Sequence, residues 1–189
     1  SPRSSTVVFD TSKIEEAIEK AVQAVSADIS YPEIPEDLFE IFAYLPELFQ
    51  DGDEERYIEA LSLAMQTSYE NGLYQFAYMQ YHMLFMTAIY FVLLKLYVLH
   101  HDEMEQALYY LLKDRYNEFF GKENTKDGQL YFGSFAAIGE SDVFKLLHIV
   151  GMDTNLEGEL KKLVKERNDY AHANGRLLLT SEEFFLEKI

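Results

Sequence analysis

Residues 73–99 read LYQFAYMQYHMLFMTAIYFVLLKLYVL, and between Glu70 and Lys95 the chain carries no Asp, Glu, Lys or Arg. A run this long and apolar has two physical homes, a bilayer or the buried centre of a helical domain. Gln75, Gln80, His82 and Thr87 lie inside it. Tyr74, Tyr78, Tyr81, Tyr90 and Tyr97 are spread along it instead of gathering at its ends. No Lys/Arg cluster flanks it to set an orientation. The run therefore reads as a central helix, buried in a domain or at a dimer seam, and no membrane is expected.

On either side the period stays helical. Tyr57, Leu61, Ala64, Met65 and Ser68 follow the turn Asp51-Gly52-Asp53, and Gly72 ends or interrupts that helix. After His100, Asp102 is the expected N-cap of a helix carrying Met104, Leu108, Leu111, Leu112, Tyr116 and Phe119, closed by Gly121. Residues 121–133 read as an exposed loop. Ser141 is the expected cap of a short helix through Val150, ended by Gly151. Thr154-Asn155-Leu156-Glu157 has capping-box form, and its helix is expected to end at Asn174-Gly175. Thr180-Ser181-Glu182-Glu183 opens a last helix with Phe184, Phe185 and Ile189. Further back, a helix is expected at about 12–27, then a break at Tyr31-Pro32-Glu33-Ile34-Pro35, then a short helix from Glu36 to Tyr44. There is little period-two alternation. The expected fold is all-α, a compact helical bundle with a long apolar central helix, and dimeric.

Composition narrows the function classes. At 189 residues and 48% hydrophobic, the chain can bury one sizeable core. It has no Cys, which excludes disulfides, thiolate metal sites and a Cys nucleophile, and fits a reducing compartment. The N-terminus, Ser1-Pro2-Arg3-Ser4-Ser5, lacks an apolar signal core and reads as a cloning remnant, so a cytoplasmic location is expected. The net charge of −17 argues against a protein that coats nucleic acid non-specifically. The charge is uneven. Residues 28–59 hold eleven acids against Arg56 alone, whereas residues 156–176 hold five bases against four acids. The acidic stretch is a solvated face or a docking surface for a basic partner.

Reactive groups gather in one place, Arg167-Asn168-Asp169-Tyr170-Ala171-His172. No phosphate-binding glycine loop, His-Glu-x-x-His, Gly-x-Ser-x-Gly or EF-hand loop is present. His100 and His101 are merely adjacent, and adjacency does not make ligands converge, so no metal site is expected. His148 reads as structural, and His82 as a core histidine with a hydrogen-bond partner. At 100° per residue, Asn168 and His172 share a helix face, while Arg167 falls nearer the apolar stripe of Leu160, Val164 and Ala171. Arg167 must then either pair with a carboxylate, tying two helices together, or reach back to the polar edge beside Asn168 and His172. In the second case the set suits phosphodiester chemistry. Arg167 can bind phosphate and the charge that develops on it, His172 can move a proton near neutrality, and Asn168 can orient either. Lys165 and Arg176 are candidate backbone contacts, and Tyr170 a candidate stacking platform. One His does not easily serve as both base and acid, so two copies of the motif facing across a two-fold axis would help. The apolar run 73–99 is the element expected to build that dimer.

Arg167-Asn168-x-x-x-His172, at the end of the penultimate helix of an all-α domain, resembles the Arg-x4-6-His signature of HEPN domains (higher eukaryotes and prokaryotes nucleotide-binding). In that family an Asn directly after the Arg is the commonest form. The resemblance covers residues 55–189, with 73–99 as the central helix, and leaves residues 1–54 as an acidic helical extension. It implies a helical bundle that dimerises so that two motifs form one cleft. It also implies a metal-independent endoribonuclease, without cofactor, that leaves 2′,3′-cyclic phosphate and 5′-hydroxyl ends. Family members are prominent as toxins of toxin–antitoxin pairs, as phage-defence effectors and as CRISPR-associated nucleases. The implied partners are RNA, a second copy of the chain, and an antitoxin or regulatory domain. HEPN toxins paired with nucleotidyltransferases often carry a modified Tyr two residues after the motif His, and here that position is Asn174. The alternative reading is a non-catalytic helical interaction or nucleotide-binding domain that docks a protein partner, with Arg167 as a structural ion-pair residue.

Overall fold

The computed structural model describes Ile41, Leu45, residues 52–172 and residues 176–189. All belong to one compact unit, Ile34–Ile189. The helices expected at 12–27 and 36–44 lie outside the described residues, apart from Ile41, and so does Asn174-Gly175. Among the described residues the fold is helical, with one isolated bridge, Lys126 to Gln129, and no strands. The α-helices are α1 (Gly52–Glu70), α2 (Tyr74–Leu99), α3 (His101–Leu112), α4 (Tyr116–Phe119), α5 (Glu140–Val143), α6 (Thr154–Ala171) and α7 (Glu182–Leu186). Short 3-10 turns fill Lys113–Arg115, Lys122–Asn124, Phe132–Ala137 and Phe144–Val150.

The charge-free run is α2, and it is central because it feeds two apolar clusters. Met86, Tyr90, Leu93, Leu94 and Leu96 pack with Met104, Leu108, Phe119, Phe135, Phe144 and Val164. Ala77, Tyr78, Leu84 and Ala88 pack with Ile58, Leu61, Met65, Tyr69, Leu179 and Phe185, joined by Ile41 and Leu45. A helix lined by cores on two sides must be apolar on most of its circumference. By length and composition α2 could cross a membrane, and half of its most apolar window is buried inside the chain.

Gly72 separates α1 from α2. Its φ of +68° is the left-handed conformation that glycine adopts without a Cβ penalty. The reversal lets α1 fold back along α2, and Tyr69 meets Tyr74 edge-on at 5.8 Å.

Four expected boundaries are corrected. Asp102 does not cap α3. The cap is His100, whose N–H bonds Leu96 and whose carbonyl accepts from Met104, so α3 follows α2 too tightly for a side-chain cap. The helix expected to run to Phe119 breaks at Lys113, at φ +50°. The bend carries Phe119 into the core, and Arg115 donates to the carbonyl of Ala137 at 3.0 Å. Gly139, not Ser141, precedes the first turn of α5, and its carbonyl accepts from Asp142 and Val143. Asp153, not Thr154, caps α6, because its carboxylate reaches the N–H of Leu156 at 2.8 Å and complements the helix dipole. At the other end of the chain the last helix forms as expected, its cap being Ser181, which accepts from Phe184, and Phe185 is fully buried.

Candidate functional site

α6 ends at Ala171, three residues before the expected Asn174, and His172 is its C-cap. The cap N–H still bonds the carbonyl of Asn168 at 3.1 Å, so Asn168 and His172 remain one turn apart on the same edge. Both side chains are exposed, as are those of Lys165 and Arg176. Lys161 continues this edge and pairs with Glu157, and Lys162 pairs with Glu159 at 2.6 Å. The open face of α6 is therefore an evenly mixed surface with the His172 imidazole at its end.

Arg167 faces the other way. Five residues at 100° each place it about 140° round the helix from His172. It lies on the side of Val164, the one fully buried residue of α6. Its guanidinium Nη2 donates to Oε2 of Glu140, the first residue of α5. The same oxygen accepts from Nε2 of His82, on α2, at 3.2 Å. One carboxylate thus ties α2, α5 and α6. His82 is 4% exposed and the Arg167 side chain 21%, so the cluster is largely cut off from water. Burial pushes the Glu140 carboxyl up, but the hydrogen bonds from His82 and Arg167 outweigh it and leave the group below its ordinary value. Tyr90 sits close enough to feel both charges. Its phenol is pushed up to about 12, first by burial and then by Glu140. The Nε of Arg167 is buried and has no hydrogen-bond partner.

The rest of this face is held by Gln75. Its amide donates to the Tyr170 carbonyl at 3.0 Å and accepts from Leu178 N–H at 2.7 Å, which ties both sides of the motif to α2. The Tyr170 ring is half-buried and stands edge-on to Tyr78 at 5.2 Å, so it takes part in packing against α2. Gln75, Tyr78 and His82 stand at i, i+3 and i+7, one face of α2.

Of the expected site residues, Asn168 and His172 come together, with Lys165 on the same face of α6. Arg167 stands apart within one chain and takes the carboxylate-paired state, the first of the two arrangements its register allowed. Sequence reasoning placed His82 correctly as a hydrogen-bonded core histidine. It missed Glu140 and Gln75. Gln75 carried a signal, as a polar residue in register with Tyr78 and His82 inside a charge-free stretch of helix. Glu140 carried none, since any of the 33 acids could have met Arg167.

The remaining histidines are ordinary. His148 meets Glu157 at 2.6 Å on the surface, and this hydrogen bond raises its pKa. His101 lies near Asp102 and Glu105 at 3.6 and 3.7 Å. Among the described residues no His, Asp and Glu cluster is arranged to hold a metal ion. Comparisons with models of known families, with curated proteins and with solved structures found no match to this chain.

Proposed function

We propose that the chain is a metal-independent endoribonuclease of HEPN type, cleaving RNA by 2′-hydroxyl attack at a site composed from two copies. It would serve in a phage-defence, toxin or CRISPR-associated setting in the cytoplasm, with an antitoxin or regulatory domain as a further partner. One observation carries the reading. The motif closes a helix so that His172 presents an open imidazole at the C-cap, one turn from Asn168, while Arg167 is anchored to Glu140 on another face of the helix with its side chain 21% exposed.

In this mechanism His172 of one copy takes the 2′-hydroxyl proton and the O2′ lone pair attacks phosphorus. The bond to the 5′-oxygen breaks, and His172 of the second copy returns a proton to that oxygen. Asn168 orients the phosphate or the ring. Arg167 stabilises the charge on the pentacoordinate phosphorus, with Glu140 holding its inner edge. Lys165 and Arg176 line the approach of the RNA backbone. The separation of Arg167 and His172 round the helix, together with the proton bookkeeping, supports a site shared by two copies. Leu177 and Leu178, directly after the motif, are 65% and 46% exposed and supply apolar surface for that contact. The exposed stripe of Phe76 and Met83 on α2 suits it less. It lies well round the helix from the face that meets α6, and a two-fold axis there would part the motifs.

The second reading, a non-catalytic interaction or nucleotide-binding domain, is favoured by the engagement of Arg167 with Glu140, which is the bond of a structural residue. Incubation of purified protein with RNA in EDTA separates the two. The nuclease reading expects 2′,3′-cyclic phosphate ends, and a rate roughly 10²- to 10⁴-fold lower in His172→Ala. An inert wild type, or equal rates in both proteins, supports the binding domain instead.

A further inference from the structure

A second surface has the chemistry of a ligand site and no part in the first. Between α3 and α4 lies an open groove of about 480 Å³, lined by Asp102, Glu105, Gln106, Tyr109, Tyr110 and Tyr116. The bend at Lys113 creates it by bringing Tyr116 back against Tyr109, the two rings 5.4 Å apart and inclined at 72°. Tyr110 stands at 74° to Tyr109, with centroids 6.0 Å apart. Tyr110 and Tyr116 pack edge-on against Tyr109 and hold its ring in place, and the exposed side of that ring carries the quadrupole that attracts a cation. Asp102 and Glu105 add carboxylates one turn apart at one end. Between Lys95 and Lys113 the sequence has three acids and no Lys or Arg. His101 is the one nearby base, and its contacts with Asp102 and Glu105 are longer than hydrogen bonds.

Tyr109 and Tyr110 are 59% and 67% exposed. Burying tyrosines is favourable, and two of them left in water beside carboxylates form the kind of patch that partners cover. We infer that this groove docks a basic peptide segment of a protein partner, laying an arginine or lysine side chain over the solvent-facing side of the Tyr109 ring with its charge toward Glu105. Charge complementarity selects the occupant, because the groove offers acceptors and π-faces and no cation for an acid or a phosphate. The planar guanidinium, which stacks on rings and donates in a fork, suits it better than a compact ammonium. The surface is independent of the Arg167–His172 motif, and the inference stands whether or not the chain cleaves RNA.

The test is titration of the full chain with a short fluorescent arginine-rich peptide at physiological salt, followed by anisotropy. Three proteins are compared: wild type, Tyr109→Ala, and a charge control, Glu55→Gln with Glu59→Gln, whose carboxylates are exposed on α1. Loss of the ring at Tyr109 is expected to weaken binding by about three- to thirtyfold. The control is expected to bind as wild type does, and a lysine-rich peptide of equal charge to bind more weakly. Tyr109 is exposed, so its replacement leaves the fold intact, and circular dichroism checks this. Equal weakening in the charge control with none in Tyr109→Ala would mean that the peptide reads only net charge, and would overturn the proposal. So would absence of binding to the wild type.

Discussion

Along α2, Met86, Leu93, Leu94 and Leu96 sink into a cluster made only of apolar and aromatic side chains, while earlier on the helix Gln75 and Tyr78 meet Tyr170 on α6 with a hydrogen bond and a ring edge, and His82 bonds Glu140 on α5. Both halves pack into apolar clusters, but the N-terminal half adds a face of directional contacts. Apolar burial is strong and non-directional, so the C-terminal half fixes that α3 and the 3-10 turns lie against α2 without dictating their register. Hydrogen bonds are weaker in net energy and strict in geometry. The polar face of the N-terminal half therefore contributes less to stability than the apolar packing and more to placement. What it places is the end of α6 and the segment after it, which carry Arg167, His172, Leu177 and Leu178. Directional contacts inside an otherwise apolar helix mark the face that has to hold something in register.

Leu93→Ala should break the apolar half. Leu93 is fully buried, and the cavity should cost about 2–5 kcal/mol in urea unfolding. A loss under 1 kcal/mol would mean that this cluster does not carry the fold. Glu140→Ala attacks the polar half and strands Arg167 with a largely buried charge, an expected loss of about 2–3 kcal/mol. Its second readout is placement, since Arg167 should then react faster with an arginine-selective dicarbonyl reagent. Unchanged reactivity would show that Glu140 does not hold the guanidinium. The same bond predicts a pH dependence. The folded pKa of Glu140 lies below the ordinary 4.5, so its stabilisation is present above that value and is lost as pH falls through the folded pKa. Wild type and Glu140→Gln should therefore converge in stability in acid. The smallest effect is expected from Gln75→Ala, about 1–2 kcal/mol, with faster amide exchange at Leu178. If exchange at Leu178 stays slow, the segment after the motif is held by something other than Gln75.

The all-α fold and the long helix were legible because a charge-free run and helical periods leave few alternatives. Glycines were legible too, as at Gly72 and Gly151, where a left-handed backbone demands them. Caps were not. Thr154 and Asp153 are adjacent and both able, and only the observed bond of Asp153 to the Leu156 amide decides between them. The break at Lys113 was hidden because lysine is no marker for positive φ, and the apolar stripe continues across the bend through Tyr116 and Phe119. For the candidate site, helical arithmetic put Asn168 and His172 on one edge and Arg167 off it. The arithmetic could not name Glu140, because an ion pair across 27 residues leaves no period in the sequence.

The central claim is that Arg167 and His172, diverging within one chain, act together only when two copies meet. Specific RNA-cleaving activity should be measured across a protein dilution series, with the dimer fraction determined by sedimentation at each point. The account predicts activity per protomer that rises in step with the dimer fraction and vanishes in the monomer. Activity per protomer that stays constant into the monomeric range would contradict it, and so would a dimer that cleaves nothing.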